Sequence, residues 1–420
     1  MKKTPLTLIY LFLIIHLVAS GCSPDEDPQV NPEGNGSLQI NISASQGLQS
    51  TSVLVSGPNG FNETLSSSKL LEELAPGKYK VSASIIIDRS NVISLAYRPT
   101  VVEQTVDVLG NQQIVDINYI LMPGSGKLWF SNQNAEPGRK IIGFDRSLLN
   151  TAGNPSATVK LTNSIDSPNG IAFDPLGNLW IADGSGSIRR FDWDDLGSNN
   201  VSPSKNLAVS GLPLDIAFDQ DSTLWVVTYR DIIGFAKDAV FGSVTSPTFE
   251  ITSPSFEGLQ ALAFDQGNNL WLANGDDNNI LKLNSSKLNG SGTVTPDITL
   301  TLQSPPPVVL TLSTPTSLAF DANNNLMIGF FGPNTLVSLS PDERASSRDF
   351  EPNNQYNLPA FVLIEHMAFD EGNNLWLPYG ENQFAKISAA NITSGPIQFS
   401  SSSPDIKYGT GVAIYPPPSN

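Results

Sequence analysis

Short apolar runs, paired across tight turns of Asp, Gly and Asn, recur through the chain from residue 126 onward. The clearest copy is 170–183, Gly-Ile-Ala-Phe-Asp-Pro-Leu-Gly-Asn-Leu-Trp-Ile-Ala-Asp. Similar words open at Ile216, Leu262, Leu318 and Met367, each closing on Asp219, Asp265, Asp321 or Asp370. The second runs follow at Leu224-Trp225-Val226, Leu270-Trp271-Leu272, Leu326-Met327-Ile328 and Leu375-Trp376-Leu377. Within each run the apolar character is nearly continuous rather than alternating, which fits strands buried on both faces. A single hairpin of this kind cannot cover its own surfaces, so stacked neighbours are required.

The copies lie about 45 to 56 residues apart, the size of one propeller blade. Lys127-Leu128-Trp129-Phe130-Ser131-Asn132 matches the second run with no first run before it. The missing run stands at the other end of the chain, Gly411-Val412-Ala413-Ile414-Tyr415. The pattern predicts that the C-terminus returns to complete the first blade and leaves no open sheet edge. The fold class is therefore all-β: a small N-terminal β-sandwich, then a six-bladed β-propeller over 126–416 closed by the C-terminal strand. Outer strands are expected at 157–161, 248–251, 298–302 and 397–400, and no long amphipathic helix is expected.

Upstream, period-two alternation marks strands at Leu38–Ile42, Tyr79–Ala83, 104–109 and 114–120, a separate β-domain over 37–122. Pro123-Gly124-Ser125 separates it from the propeller. Residues 1–21 have the form of a secretory signal, with Lys2 and Lys3 before an apolar centre too short to span a bilayer. Cys22, the only cysteine, follows Ala19-Ser20-Gly21. An unpaired thiol is a liability in an oxidising compartment, so lipidation of Cys22 is the expected use. Residues 22–36 are acidic, Pro-rich and nearly free of apolar side chains, a composition that predicts a disordered tether.

Charge narrows the partners. The formal net charge is −17 over 420 residues; loss of Lys2 and Lys3 with the leader makes it more negative still. Such a surface repels nucleic acid and anionic membranes and tolerates divalent cations and cationic partners. There is no phosphate-binding Gly-rich loop, no paired-cysteine metal motif and no Gly-x-Ser-x-Gly elbow.

Strand order sorts the polar positions within the propeller. The first and second runs are antiparallel, so the start of the first and the end of the second share one face of the disc. On the opposite face Asp174, Asp219, Asp265, Asp321 and Asp370 occupy the turn. A calcium loop would also need Gly at its sixth position and a distal Glu, which are absent; each Asp is expected to cap its own turn. Gly177, Asn268, Asn324 and Asn373 stand where a left-handed conformation is needed. The repeated Trp129, Trp180, Trp225, Trp271 and Trp376 are expected to pack between blades. The off-pattern Trp193 is a candidate contact residue.

Residues that break the repeat carry more functional information. Two before each Ile/Leu-Ala-Phe stand Asn169, Leu214, Gln260, Thr316, Glu365 and Thr410; one further on stand Gly170, Asp215, Ala261, Ser317, His366 and Gly411. The second runs end on Asn132, Asp183, Thr228, Asn274, Phe330 and Tyr379. These rings are expected to converge on the channel mouth. The candidate ligand-binding set is Asn132, Asn169, Asp183, Asp215, Gln260, Asn274, Glu365 and Tyr379. Their oxygens suit Ca2+ or Mg2+. Candidate catalytic residues are Glu365, His366 as a general base, and Asp183. With His16 in the leader, His366 is the one histidine of the mature chain. Leu214, Phe330 and Tyr379 could instead plug the mouth.

Three resemblances accompany these readings. Ser167-Pro168-Asn169-Gly170-Ile171-Ala172-Phe173-Asp174 through Asn178-Leu179-Trp180-Ile181-Ala182-Asp183 resembles the NHL, SMP-30/gluconolactonase and streptogramin-lyase propellers. The gluconolactonase group implies a divalent metal at the mouth, held here by Asn169 with Glu365 and Asp183 as partners, and a hydrolase or lyase activity. Streptogramin lyases rely on histidine and glutamate, and a single mature histidine departs from a multi-histidine site. Leu74-Ala75-Pro76-Gly77-Lys78-Tyr79 resembles the turn of transthyretin-like and PEGA-like sandwich modules, in which a Pro-Gly turn launches a strand with an inward Tyr. Ala19-Ser20-Gly21-Cys22 resembles a bacterial lipobox, and Asp25-Glu26-Asp27 resembles the acidic tract of Bacteroidetes-type surface lipoproteins. Together these imply a protein held to the outer membrane through acylated Cys22. Its propeller would bind a small molecule, glycan or protein without catalysis, would be a lactonase-like enzyme, or would be purely structural.

Overall fold

The computed structural model describes residues 34–45, 48, 50–133, 140–150, 154–161, 165–302, 314–331, 335–350, 354–357, 364–378, 383–392 and 401–418. Cys22, the acidic tract, the expected strand at 397–400 and Tyr379 lie outside them.

Residues 36–121 form two facing sheets. One has the order Lys69–Leu74, Gly36–Ala44, Gln112–Leu121, Leu95–Pro99, Ile86–Asp88; the other Asn62–Leu65, Val53–Ser56, Gly77–Ala83, Glu103–Val108. Alternation puts one face of each strand inside, where Leu38, Ile40, Val53, Val55, Val81 and Ile117 meet. Tyr79 points inward as well, with its hydroxyl donating to the Ala75 carbonyl at 3.1 Å.

The propeller has six blades. The second blade is ordered Pro168–Phe173, Leu179–Asp183, Ser187–Phe191, Lys205–Ala208 from axis to rim. The inner strands of the third to sixth are Asp215–Phe218, Leu259–Phe264, Pro315–Phe320 and Ala368–Phe369. In the first blade the inner strand is the C-terminal Gly409–Tyr415, antiparallel to Lys127–Asn132, with Trp129 opposite Ala413 and Lys127 opposite Tyr415. Closure therefore falls where the out-of-phase repeat placed it. Two latches were not legible in sequence: Gly292–Thr293 adds in parallel to Phe249–Thr252 of the third blade, and Arg348–Phe350 to Ile298–Leu302 of the fourth.

The repeated Asp and Trp form one device. Asp174 Oδ1 accepts from the Leu176 and Asn178 amides, both 2.9 Å, and Oδ2 accepts from Trp180 Nε1 at 2.9 Å. Asp219–Trp225, Asp265–Trp271 and Asp370–Trp376 repeat the indole bond at 2.8, 2.9 and 2.8 Å. One carboxylate thus closes the turn and anchors the buried indole that follows it. Left-handed backbone occurs in each turn, at Gly177, Ser222, Asn268, Asn324 and Asn373. Between blades the indoles meet the next inner-strand Phe edge-on: Trp129–Phe173, Trp180–Phe218 and Trp271–Phe320, with centroids 6.3, 6.2 and 6.3 Å apart.

The sandwich sits against the turn face. Arg146, buried, grips Glu371 through both carboxylate oxygens at 3.0 and 2.6 Å, and the Ser94 amide of the sandwich donates to the same carboxylate at 2.9 Å. Trp193 belongs to this junction, stacked under Arg98 at 4.9 Å. Its expected role as a ligand contact gives way to packing between domains.

Candidate functional site

The face opposite the sandwich opens into a cup of about 410 Å³. Its wall takes one side chain from each blade in turn: Thr410, Asn169, Leu214, Gln260, Thr316 and Glu365. These are the six positions two before each Ile/Leu-Ala-Phe. Their convergence has a cause that sequence does not display. In blades one, two, four and five the inner strand carries a bulge at this point, so that an extra residue faces its neighbour; Thr410, Gln260 and Thr316 are themselves the extra residues. A bulge re-aims a side chain that regular pleating would bury between sheets.

Three of the six stitch the ring together. Thr410 Oγ1 donates to the Pro168 carbonyl at 2.6 Å, Asn169 Nδ2 to the Pro213 carbonyl at 2.8 Å, and Thr316 Oγ1 to the Ile364 carbonyl at 2.7 Å, each bond reaching the next blade. Gln260 and Glu365 make no side-chain hydrogen bond among the described residues. The rim adds Gln133, Ser167, Leu212, Thr314 and Phe331. Leu212 and Phe331 are 61% and 44% exposed, and their apolar character, just before one strand and just after another, is the one signal that could have marked them in sequence.

Beneath the cup-lining residues a pair from opposite blades forms a floor. Asp215 of the third blade and His366 of the sixth meet across the axis, Oδ1 to Nε2 at 2.9 Å. Asp215 also accepts from the Ile216 and Leu262 amides at 2.8 and 3.1 Å. The Val412 amide donates to His366 Nδ1 at 3.3 Å, which leaves the ring proton on Nε2, facing Asp215. Burial works against a charged imidazole, but the Asp215 carboxylate outweighs it and the His366 pKa is raised. A Cβ on Gly170 would collide with Asp215 Oδ1, so glycine there makes room for the pair. Below the floor the channel widens into an apolar chamber of about 550 Å³, walled by Phe173, Phe218, Phe264, Phe320, Phe369 and Tyr415 and reaching Ile87 of the sandwich.

Glu365 is the chemically distinctive group of the cup. Burial without a bonded partner pushes its carboxyl up to about 7, and neighbouring His366 only partly offsets this. His366 itself does not line the cup; its Nε2 is committed to Asp215.

Among the described residues the second-run ends do not line the cup, a correction to the expected binding set; Tyr379 lies outside the described residues. Asp183 is fully buried, with Oδ1 accepting from the Ser167 and Ser185 amides at 3.1 and 3.3 Å and Oδ2 paired to Arg189 at 2.9 Å. Asn132 donates to the Asp405 carbonyl at 3.1 Å and accepts from the Lys407 amide at 3.3 Å. Asn274 accepts from the Glu257 amide at 2.8 Å and donates to the Ser255 carbonyl at 3.1 Å. All three hold loops of their own blades. Asp215 serves the floor rather than the wall. Phe330 packs between blades, 1% exposed, so it does not plug the mouth.

The grouping of Asn169, Asp183 and Glu365 around a metal is therefore not formed. Among the described residues no three His, Cys, Asp or Glu side chains are placed to hold an ion. Among the described residues the cup offers a single carboxyl, the rest of its lining being neutral amides, hydroxyls and apolar groups, so this donor set does not fit the carboxylate-rich cage that Ca2+ prefers.

These features define a six-bladed β-propeller, carried on a β-sandwich, with a polar cup at its free face. Solved structures similar to it include a protein of unknown function from Bacteroides caccae, at TM-score 0.49 and 10% identity over 69% of this chain and 98% of that one. A streptogramin B lyase aligns at TM-score 0.41 and 15% identity, covering 57% of this chain and 70% of that one. Virginiamycin B lyase from Staphylococcus aureus aligns at TM-score 0.41 and 14% identity, covering 75% and 84%. No protein-family model matches the sequence, and no curated protein matches it.

Proposed function

We propose that this is a cell-envelope binding protein, tethered to the outer membrane by acylated Cys22, whose propeller cup takes a small ligand without transforming it. The observation that carries the reading is the convergence of one side chain from every blade on a single open cup. Its volume, about 410 Å³, falls in the range of about 300–1,000 Å³ typical of small-molecule sites. The test is thermal melting of the mature protein against a panel of saccharides, amines and amino acids, beside the Gln260→Trp variant, whose indole fills the cup. Compounds that raise the melting temperature of wild type should leave the variant unmoved. If every compound that stabilises one protein stabilises the other equally, the cup is not the site. For the anchor, mass spectrometry of the membrane fraction should find a diacyl or triacyl modification on Cys22, and Cys22→Ala should release the protein.

A second reading, a lactonase-like hydrolase or lyase, is favoured by one observation. A carboxyl with its pKa at about 7 is suited to give and take protons at neutral pH. Turnover of cyclic esters by wild type, abolished in Glu365→Gln, would replace the binding reading with this one.

A further inference from the structure

We infer that the cup selects an organic monocation, a small ammonium or amidinium compound with an apolar side, which places its charge on Glu365 and its apolar side against Leu212, Leu214 and Phe331. The inference rests on the cup being the binding site. Its first support is the isolation of Glu365. Other buried carboxylates of the propeller are partnered: Asp183 with Arg189, Asp215 with His366, Glu371 with Arg146, Asp405 with Lys160. Glu365 has neither an ion pair nor a hydrogen bond among the described residues, although it is half-buried. A desolvated carboxylate regains its lost hydration only by meeting a positive charge.

The lining decides between ligand classes. Among the described residues it holds no Lys, Arg or His, and the whole chain carries −17, so an anion would meet no counter-charge from them. A divalent ion would find one carboxyl. A polyol would find fewer donors on the wall, because Asn169, Thr316 and Thr410 spend theirs on neighbouring blades, and of the six wall side chains Gln260 and Glu365 stay unengaged among the described residues. The apolar side of the cup, Leu212, Leu214 and Phe331, covers the hydrocarbon part of an amine. Among the described residues the titratable side chain set against Glu365 is His366, and Asp215 holds it from the far side, so a charged pair there sums to zero.

A cation must displace the Glu365 proton, so its affinity should follow ionisation of that carboxyl. The experiment is calorimetric titration of the mature protein with phenethylammonium and its neutral isostere 2-phenylethanol, using wild type and Glu365→Gln, with melting curves confirming that the variant folds. The cation should bind wild type about tenfold more tightly at pH 8 than at pH 6. The alcohol should bind at least about tenfold more weakly, a loss of roughly 1.4 kcal/mol. Glu365→Gln should lose the preference and the pH dependence together. Equal binding of cation and alcohol, or saccharides binding where amines do not, overturns the monocation while leaving the cup as a site. Calcium chloride protecting wild type but not Glu365→Gln overturns it in favour of a metal. Absence of any ligand effect that Gln260→Trp removes overturns the site itself.

Discussion

Replacing Glu365 by Gln should stabilise the ligand-free protein, and only at higher pH. Burial raises the carboxyl from 4.5 to about 7 in the folded chain. Below pH 4.5 both folded and unfolded chains carry the proton, and the group costs nothing. Between 4.5 and about 7 the folded chain binds more protons than the unfolded one, so stability falls as pH rises. Above about 7 both are ionised and the deficit stays constant. A shift of this size corresponds to about 3 kcal/mol. Glutamine keeps the shape and never ionises, so the variant should match wild type near pH 4 and exceed it by about 3 kcal/mol at pH 9. For a propeller of this size that is on the order of 5 °C in melting temperature. Urea melts of both proteins at a series of pH values, compared as differences, isolate this carboxyl from every other. A difference that stays flat from pH 4 to pH 9 would refute the claim that Glu365 is desolvated and unpartnered.

Three further outcomes follow from the packing. Trp180→Phe leaves Asp174 Oδ2 with Asn178 Nδ2 alone and should cost about 1–3 kcal/mol in chemical denaturation; a loss below about 0.5 kcal/mol would mean that the indole bond anchors nothing. Asp215→Asn removes the charge that raises His366, so burial should take over and the ring should titrate below its ordinary range in NMR; an unchanged titration would contradict the pairing across the axis. A chain ended at Lys407 lacks Gly409–Tyr415 and exposes the edge of Lys127–Asn132, so it should aggregate or melt without cooperativity; a monomer with the wild-type melt would mean that closure is dispensable.

Much of the architecture was legible because it is written in neighbours along the chain. Continuous apolar runs, Asp–Gly–Asn turns and the phase of the repeat are local properties, and they sufficed for the six blades and for the return of Gly409–Tyr415 to Lys127–Asn132. The six wall positions could be found by counting back from each Ile/Leu-Ala-Phe. Which polar residues reach the cup was a different matter. The same counting nominated Asp183, Asn132 and Asn274, yet these turn into their own blades, because no bulge re-aims them and nearby amides and Arg189 claim their oxygens. A bulge is a mismatch between two paired strands, so it has no signature in either strand alone. The Asp215–His366 floor joins residues 151 apart from blades that face each other across the axis, and Arg146–Glu371 joins residues 225 apart. Sequence by itself determined the strands and their cyclic order, since pleating and turn chemistry act between adjacent residues. The tertiary structure alone decided which side chains share the axis and which carboxyl among them is left without a partner, since those depend on how the closed ring brings distant blades together.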